Sequence, residues 1–327
     1  MKVLVTGATG YVGSRLVPEL LHRGHSVIGT HTSVSPRATP WAEEVQWRRM
    51  DVLDPHQAVA TVRDVDAVVY LIHGMSDTDF TQTDREAAEN VRAAVDRAGI
   101  ARVVYLSGII PDLPEAGLSE HLESRLEVEQ ILAGANASCL SMRAAVVVGA
   151  ASTSFEIIRQ ISHRIPLVQA LPTWMRDTVV QPIAIADAVH FLAEGIERPD
   201  VVGHLDIAGP DRVTYAELLR LYAAAARLTR VQVSVPGLPA DLTGWLAGQL
   251  TDVSTATVES LMASLQHDMV ADSRGSTALG SPVLLPLREA LVRSLAAFDP
   301  DHDGAAVGGD PARPSMVDPE WTRRRAG

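Results

Sequence analysis

Cysteine and lysine are almost missing from this sequence. The single cysteine among 327 residues, Cys139, excludes an intramolecular disulfide framework and cannot build a zinc site alone. The histidines are scattered, so we expect no metal. An aspartate-rich stretch at 299–310 has the outline of a calcium loop, but a proline lies inside it and its last position is Asp310 rather than glutamate, so we treat it as chance.

Long hydrophobic runs are also missing. The longest, residues 144–151, has the length of a strand and is far shorter than the ~18 residues that would span a bilayer. The N-terminus enters a strand directly, without the basic and apolar regions of a secretory signal. We therefore expect no membrane association and a cytoplasmic location.

Basic residues are fewer than acidic residues. Lysine and arginine total 28 against 40 acidic residues, which gives a net charge of −12. Proteins that bind nucleic acids usually present a basic surface to the phosphates, so we expect no nucleic-acid partner. The expected partner is a small molecule, and the chain is expected to be a monomer or a homodimer.

Apolar strands alternate with amphipathic helices through the first half of the chain. The strands are almost continuously apolar, as parallel strands buried on both faces should be. This pattern predicts an α/β fold of the Rossmann type, a doubly wound parallel sheet with helices on both faces. The predicted strands are 2–6, 26–30, 45–51, 67–72, 102–107 and 139–149, and the predicted helices are 11–23, 55–64, 82–98 and 119–133.

The alternation loosens after residue 150. We assign residues 1–150 to a dinucleotide-binding domain and residues 151–298 to a smaller mixed α/β region on the substrate side. Residues 299–327 are rich in Asp, Pro, Gly and Arg and have little apolar periodicity, so they are expected to form a flexible or loosely draped tail.

Three glycines lie in the segment TGATGYVG, residues 6–13, between the first predicted strand and the first predicted helix. Gly7 permits a tight turn, Gly10 allows the backbone to approach a pyrophosphate, and Gly13 allows the helix to pack close to the strand. The amide groups and the helix dipole then favour a bound anion. The segment therefore predicts a dinucleotide site.

The second predicted strand ends without a carboxylate. An acidic residue at this position would hold a ribose diol and repel a 2′-phosphate. Here the strand runs into His31 and small hydroxyl residues, and Arg37 follows shortly after. These side chains can accept a phosphate, so NADP(H) is favoured over NAD(H).

The spacing G-x-x-G-x-x-G after Thr6 resembles that of the short-chain dehydrogenase/reductase superfamily, in its extended and atypical branches. The segments MDVLD (50–54), YLIHGM (70–75), ENVRAAVDRAGIARVVYLSG (89–108) and MRAAVVVG (142–149) agree with it. Within the superfamily the chain is most similar to the NmrA-like and YbjT-like NAD(P)H-binding proteins. The resemblance implies that Asp51 contacts the adenine, and it places the following residues at the cofactor: Thr6, Gly7, Thr9, Gly10, Tyr11, Val12, Gly13, His31, Arg37, Asp51, Val52, Ile72, His73 and Gly74.

The catalytic signature of that superfamily, Tyr-x-x-x-Lys, is missing. The matching positions are His121 and Arg125, which keep the i, i+4 spacing on one helix face. The resemblance adds Ser107 and Asn90 as the family's serine and asparagine positions. The expected catalytic group is therefore His121, Arg125, Ser107 and Asn90, with His121 as general acid and Ser107 polarising the substrate.

Three functions remain open from the sequence. The first is an NAD(P)H-dependent oxidoreductase that reduces a carbonyl or an activated double bond. The second is a redox sensor that binds the cofactor without turnover, and the third is a non-redox enzyme such as an isomerase that keeps the cofactor bound. The apolar content of the second half predicts an apolar or aromatic ligand. The residues expected in its wall are Phe155, Ile157, Ile158, Leu167, Val168, Leu171, Trp174, Met175, Trp245, Leu246, Leu261 and Met262.

Overall fold

The computed structural model describes residues 1–33, 35, 38–74, 80–112, 117–272, 277–280 and 282–323. The strands are β1 (Lys2–Val5), β2 (Ser26–His31), β3 (Gln46–Arg49), β4 (Ala67–Tyr70), β5 (Arg102–Gly108), β6 (Ser138–Ala144), β7 (Val147–Val148), β8 (Leu167–Pro172), β9 (Val179–Val180), β10 (Ile183–Ala184), β11 (Gly203–Asp206), β12 (Val213–Thr214) and β13 (Arg230–Val235). The helices are α1 (Tyr11–His22), α2 (Pro55–Thr61), α3 (Phe80–Ala98), α4 (Glu120–Ala133), α5 (Thr153–Arg164), α6 (Thr173–Asp177), α7 (Ile185–Glu197), α8 (Tyr215–Ala225), α9 (Ala240–Gln249), α10 (Thr255–Ser264), α11 (Leu287–Ser294) and α12 (Glu320–Arg323), with a short 3₁₀ turn at Pro300–His302.

Seven strands form one sheet in the order β11-β6-β5-β4-β1-β2-β3. Every neighbouring pair in this sheet is parallel. The order reverses direction at β1 and β4, so a crevice opens beyond the carboxyl ends of these two strands. The predicted Rossmann-type α/β fold is confirmed.

The sheet is covered on both faces, as its apolar strands require. On one face α1 and α7 pack through Leu16, Leu20 and Val189. On the other face α2, α3 and α4 pack against the alternate side chains of the same strands, for example Val68 and Val103. Both clusters are closed to water, and they fix the strand ends that carry the candidate site.

The chain crosses between the two regions more than once, which corrects the predicted boundary at residue 150. Helix α7 packs on α1, and β11 extends the large sheet at its β6 edge. Residues of both elements therefore belong to the dinucleotide-binding domain, although they lie in the second half of the sequence. The substrate-side region consists mainly of α5, α6, α8 to α11 and the small sheet of β8 and β13.

The C-terminal segment differs from the predicted flexible tail. Ala305, Ala312 and Ser315 are fully buried, and the amide of Ala150 donates a hydrogen bond to the carbonyl of Ala312. Asp318 forms an ion pair of 2.6 Å with Arg15 of α1, and the two side chains are only 2% and 1% exposed. The small residues of the C-terminal segment permit close packing. The low apolar content of the segment gives no sign of this packing in the sequence.

Candidate functional site

A cavity of about 880 Å³ lies between the carboxyl ends of the sheet strands and the substrate-side helices. Its floor is formed by the glycine loop, by the residues after β4 and by the end of β5, and its wall by α4, α5, α8, α9 and α10. The predicted site residues that line it are Gly7, Thr9, Gly10, Tyr11, Val12, Gly13, Ile72, His73, Ser107, His121 and Arg125.

The glycine loop has the shape that a phosphate cradle needs. Gly7 has a φ of +68°, which favours glycine, and a Cβ atom on Gly13 would lie 2.2 Å from the carbonyl oxygen of Gly7. Helix α1 begins after Gly10 without a side-chain cap and without an acidic residue in its first turn. Its first amide groups have no partners within the helix and are available to an anion. The residues present therefore fit a dinucleotide diphosphate.

Thr6 has a different role from the one predicted. Its side chain is fully buried and does not line the cavity. Its hydroxyl donates to the carbonyl of Val69 and accepts from the amide of Leu71, at 3.2 and 3.0 Å. Thr6 therefore braces β1 against β4 and holds the loop from behind.

His73 and Gly74 follow β4. Burial, followed by the positive charge of Arg125, holds the pKa of His73 well below its ordinary value of 6.5. The amide of Gly74 donates to Oδ1 of the buried Asp84 at 2.6 Å, and Gly74 does not line the cavity. His73 is therefore a neutral group at the cavity floor, and Gly74 is an anchor for the turn.

Ser107 stands near the end of β5 with a 5% exposed side chain. Its Oγ is buried and lines the cavity, and its polar neighbour Tyr105 forms no well-aligned hydrogen bond with it. A buried hydroxyl without a partner costs free energy unless a ligand satisfies it. Ser107 is therefore placed to contact a bound molecule.

Helix α4 carries His121 and Arg125 into the cavity. Ser119 caps the helix by accepting from the amide of Leu122, and the i, i+4 spacing puts both side chains on one face. Nη1 of Arg125 donates to the hydroxyl of Tyr105 and to the carbonyl of Leu106, at 3.3 and 3.2 Å. This contact fixes its positive charge beside the end of β5.

The protonation of His121 corrects one sequence expectation. Burial, and then the charge of Arg125, lower the pKa of His121 to about 3 from 6.5. The imidazole is neutral near pH 7, so it cannot act there as a general acid in the imidazolium form. It can still donate or accept a hydrogen bond through its neutral ring.

Sequence reasoning missed the group that positions α4. Oδ2 of Asp84 in α3 accepts a hydrogen bond of 3.1 Å from Ser124, which lies between His121 and Arg125. The same carboxylate holds the Gly74 turn, and burial raises its pKa. A buried acidic residue in an otherwise polar helix carries no distinguishing sequence signal, because the partners lie 10 and 40 residues away along the chain.

Asn90 is not brought to the site. Its side-chain amide donates to the carbonyl of Val52 at 2.9 Å, and it does not line the cavity. Its expected place in the catalytic group is therefore wrong for this structure, and it braces the turn after β3 instead.

The described residues expected to contact the adenine half of the cofactor do not line the cavity. They lie at the end of β2 and after β3. Asp51 is exposed and accepts from the amide of Leu53, Val52 packs into the core, and His31 ends β2. Arg37 lies outside the described residues. The structure adds Arg49, paired in register with His31 and bonded through Nε to the carbonyl of Thr32 at 3.3 Å. Only the strand register connects this arginine with the end of β2.

The far wall of the cavity is apolar. Of the residues predicted there, Ile157, Ile158, Leu171, Met175, Leu246, Leu261 and Met262 line it. Phe155 belongs to the core behind it, Leu167, Val168 and Trp245 are exposed, and Trp174 packs outside the lining. Other lining residues from the substrate side include Ile161, Ile165, Leu218, Leu219, Leu238, Leu250, Val258, Leu265 and Met269.

The described residues contain no group of three or more His, Cys, Asp or Glu side chains arranged to hold a metal ion. No helix in the described part of the chain has both the length and the apolar character to cross a membrane.

Comparison with known proteins identifies the N-terminal region. Residues 7–137 match a family model described as NAD(P)H-binding. An uncharacterized protein of Mycobacterium tuberculosis is 26% identical over 94% of this chain, and this chain spans only 34% of that relative. The chain therefore spans about a third of the length of the mycobacterial relatives that match 94% of it.

Sequence matches over shorter stretches and matches to solved structures agree with this NAD(P)H-binding match. A 3β-hydroxysteroid dehydrogenase/Δ5→4-isomerase of M. tuberculosis is 34% identical over 32% of this chain and 31% of its own. Among solved structures, a nucleoside-diphosphate-sugar epimerase from Staphylococcus aureus has a TM-score of 0.71 and 16% identity, covering 89% of this chain and 100% of its own. The structural likeness concerns the fold.

Proposed function

We propose that the chain is a reductase of the atypical, NmrA-like branch of the short-chain dehydrogenase/reductase superfamily that its sequence resembles, and the NAD(P)H-binding match over residues 7–137 supports this proposal. The substrate is an apolar small molecule with a carbonyl group or an activated double bond. One observation carries this proposal. A single cavity joins the glycine loop to Ser107, His121, Arg125 and an apolar wall.

The glycine loop supports the cofactor part of the proposal. The free amides at the start of α1 would hold the diphosphate, and Ile72 and His73, which line the same cavity, would contact the nicotinamide half. When bound, the reduced cofactor supplies a hydride. NADP(H) is the proposed form, because His31, Thr32, Ser33 and Arg49 offer hydroxyl and cationic groups at the end of β2 and the described residues there include no carboxylate.

Three side chains act on the substrate oxygen. The Ser107 hydroxyl and the neutral His121 ring donate hydrogen bonds to it, and the charge of Arg125 stabilises the negative charge that develops there. The proton that the oxygen finally takes comes through one of these two donors and is replaced from solvent. No carboxylate is found among the described residues that line the cavity, so nothing in that lining opposes the developing charge.

The alternative is a redox sensor that binds the cofactor without turnover. It is favoured by the missing tyrosine and lysine and by the low pKa of His121, which removes the one acid that titrates near neutral pH. The size of the apolar wall argues for a small-molecule ligand and so for the reductase. A non-redox isomerase remains a third possibility and has no separate support.

The test is NADPH oxidation, followed by absorbance, with quinones, enones and aldehydes as substrates. Ser107→Ala is expected to lower kcat about 10²-fold, since it removes one hydrogen-bond donor to the transition state. His121→Phe is expected to act in the same direction. Ser141→Ala is the matched control, because Ser141 is a buried serine on the neighbouring strand β6 that does not line the cavity.

Equal rates in wild type, Ser107→Ala and His121→Phe would contradict the assigned roles. NADPH binding with no oxidation by any substrate class would contradict the reductase and favour the sensor. Product formation without a net change in the cofactor would favour the isomerase.

A further inference from the structure

We propose that the substrate is an uncharged molecule with a long aliphatic chain, which lies among α5, α9 and α10. The inference rests on the proposed function only for the position of the reactive carbonyl, which is placed at Ser107. It narrows the substrate class from apolar small molecules in general to lipid-like ketones and aldehydes. It also excludes substrates that would place a charged group among α5, α9 and α10, such as nucleotide-linked molecules.

In the described part of the lining, charged and histidine side chains are confined to one end of the cavity. Arg125, His73 and His121 are the only basic, acidic or histidine side chains among the described lining residues, and all three lie at the glycine-loop end. From Val146 to Met269 the lining contains no such group. A diphosphate or a carboxylate in that part would be buried without a partner, which costs several kcal/mol. The far wall therefore accepts only an uncharged group.

The polar atoms of the far wall already have partners. Oγ of Ser264 contacts Oγ of Ser119 at 2.8 Å and donates to the carbonyl of Ser260, and Oγ1 of Thr243 donates to the carbonyl of Pro239. Ser152 donates to the carbonyl of Val147. A sugar or another polyhydroxyl ligand would find few free groups here. The exceptions are the hydroxyls of Thr153 and Ser154 at the start of α5 and the buried hydroxyl of Tyr215, which can bond to oxygens of the substrate.

The wall consists of flexible aliphatic side chains. Among them are Ile157, Ile161, Leu250, Val258 and Leu261. Aromatic residues, which bind flat rings by stacking, are limited among the described lining residues to Tyr11 and Tyr215. Methionines at three positions of the lining adapt to a chain of variable shape. This composition fits an alkyl chain better than a planar aromatic ligand.

Helix α9 carries an exposed apolar side chain that also lines the cavity. Leu246 lines the cavity and is 43% exposed, so it is in contact with both the interior and the solvent. Leu242 and Trp245 on the same helix are also exposed, at i−4 and i−1 from Leu246. An apolar rim of this kind lowers the cost of transferring an alkyl chain into the cavity, because the chain leaves water gradually.

The experiment measures binding separately from turnover. Calorimetry with the full chain, in the presence of NADP⁺ so that no reduction occurs, compares butanone, an octanone and a dodecanone. Affinity is expected to rise about threefold to fourfold for each added methylene until the cavity is full. The keto acid 11-oxododecanoate, which carries a carboxylate at the far end of the same chain, and UDP-glucose are expected to bind about 100-fold more weakly than the dodecanone. Equal affinities for butanone and the dodecanone, or tighter binding of either anion, would overturn the proposal.

A pair of variants on α9 locates the chain. Leu246→Asp puts a charge in the cavity lining and is expected to weaken dodecanone binding about tenfold, with little effect on butanone. Leu242→Asp is the control, since Leu242 is 45% exposed on the same helix and does not line the cavity. The same effect in both variants would place the chain elsewhere.

Turnover is followed in a separate assay with NADPH. Oxidation with short or charged substrates at the same kcat/KM as with the dodecanone would overturn this inference and leave the reductase in place. Chain-length-dependent binding without NADPH oxidation would overturn the reductase and leave this inference in place.

Discussion

At the scale of single residues, the buried histidines dominate the electrostatics of the site. His73 and His121 face the same cation, Arg125, and both are partly buried at the cavity. Each factor disfavours the charged form of an imidazole. The site thus keeps one fixed positive charge and two neutral rings, an arrangement suited to negative charge on a ligand.

The same burial predicts a loss of stability in acid. The pKa of His121 is about 3 in the folded chain and 6.5 when unfolded, so between these values the unfolded state binds more protons. Stability contributed by the neutral ring is present above about pH 6.5 and is lost as the pH falls. For His121 the free energy of unfolding should fall by about 1.4 kcal/mol per pH unit in that window.

Urea denaturation of wild type and His121→Phe at several pH values measures this contribution. In acid, the free energy of unfolding of the variant should fall less steeply with pH than that of the wild type, by about 1.4 kcal/mol per pH unit. The comparison cancels carboxylates shared by both proteins, including Asp84, whose raised pKa acts in the opposite direction. Identical slopes in the two proteins would mean that His121 is not held neutral by burial.

At the scale of elements, strand register assembles the proposed 2′-phosphate site. Parallel pairing of β2 and β3 places Arg49 opposite His31, and alternation along β3 points Arg48 to the other face. Arg48 donates to the carbonyls of Thr61 and Arg63 and so holds the α2 region. The two neighbouring arginines therefore have different functions.

Replacing Arg49 should separate the two cofactors. Arg49→Gln is expected to weaken NADPH binding about tenfold and to leave NADH binding nearly unchanged, because only NADPH carries the 2′-phosphate. Arg48→Gln is the matched control and should affect both cofactors alike. Calorimetry with each cofactor measures the ratio. An unchanged NADPH/NADH preference in Arg49→Gln would remove this residue from the site.

At the scale of the whole molecule, the C-terminal segment is attached to the helix that follows the glycine loop. Arg15 bonds to Ser14, to the carbonyl of Ala150 and to Asp318, so one guanidinium links α1, the turn after β7 and the tail. Asp303 supports the segment by accepting from Ser315 and from the amide of Met316. The segment thereby belongs to the folded body.

Removing this ion pair should be costly. Asp318→Asn leaves Arg15 buried without its countercharge and is expected to lower the free energy of unfolding by about 3–5 kcal/mol. Asp252→Asn is the control, since its pair with Arg164 is 48% and 37% exposed and should contribute about 1 kcal/mol or less. Chemical denaturation measures both. Equal small losses would show that residues near 318 are not packed on α1 in solution.

The fold and the cofactor loop were determined by the sequence alone. Periodicity of apolar residues, helix-ending glycines and the spacing of Gly7, Gly10 and Gly13 are local properties, and each restricts the backbone within a few residues. The predicted strands and helices of the first half therefore match the observed elements closely. The absence of Tyr-x-x-x-Lys was also evident from the sequence, since it depends only on the identity of the residues.

Which candidates meet in space, and in which protonation state, was decided only by the tertiary structure. Asn90 and Thr6 turned out to brace the backbone, Asp84 and Arg49 gained their places through distant partners, and His121 lost its charge. The tail was misjudged for the same reason. Burial, hydrogen bonding and pKa depend on the distances between residues far apart along the chain, and only packing sets those distances.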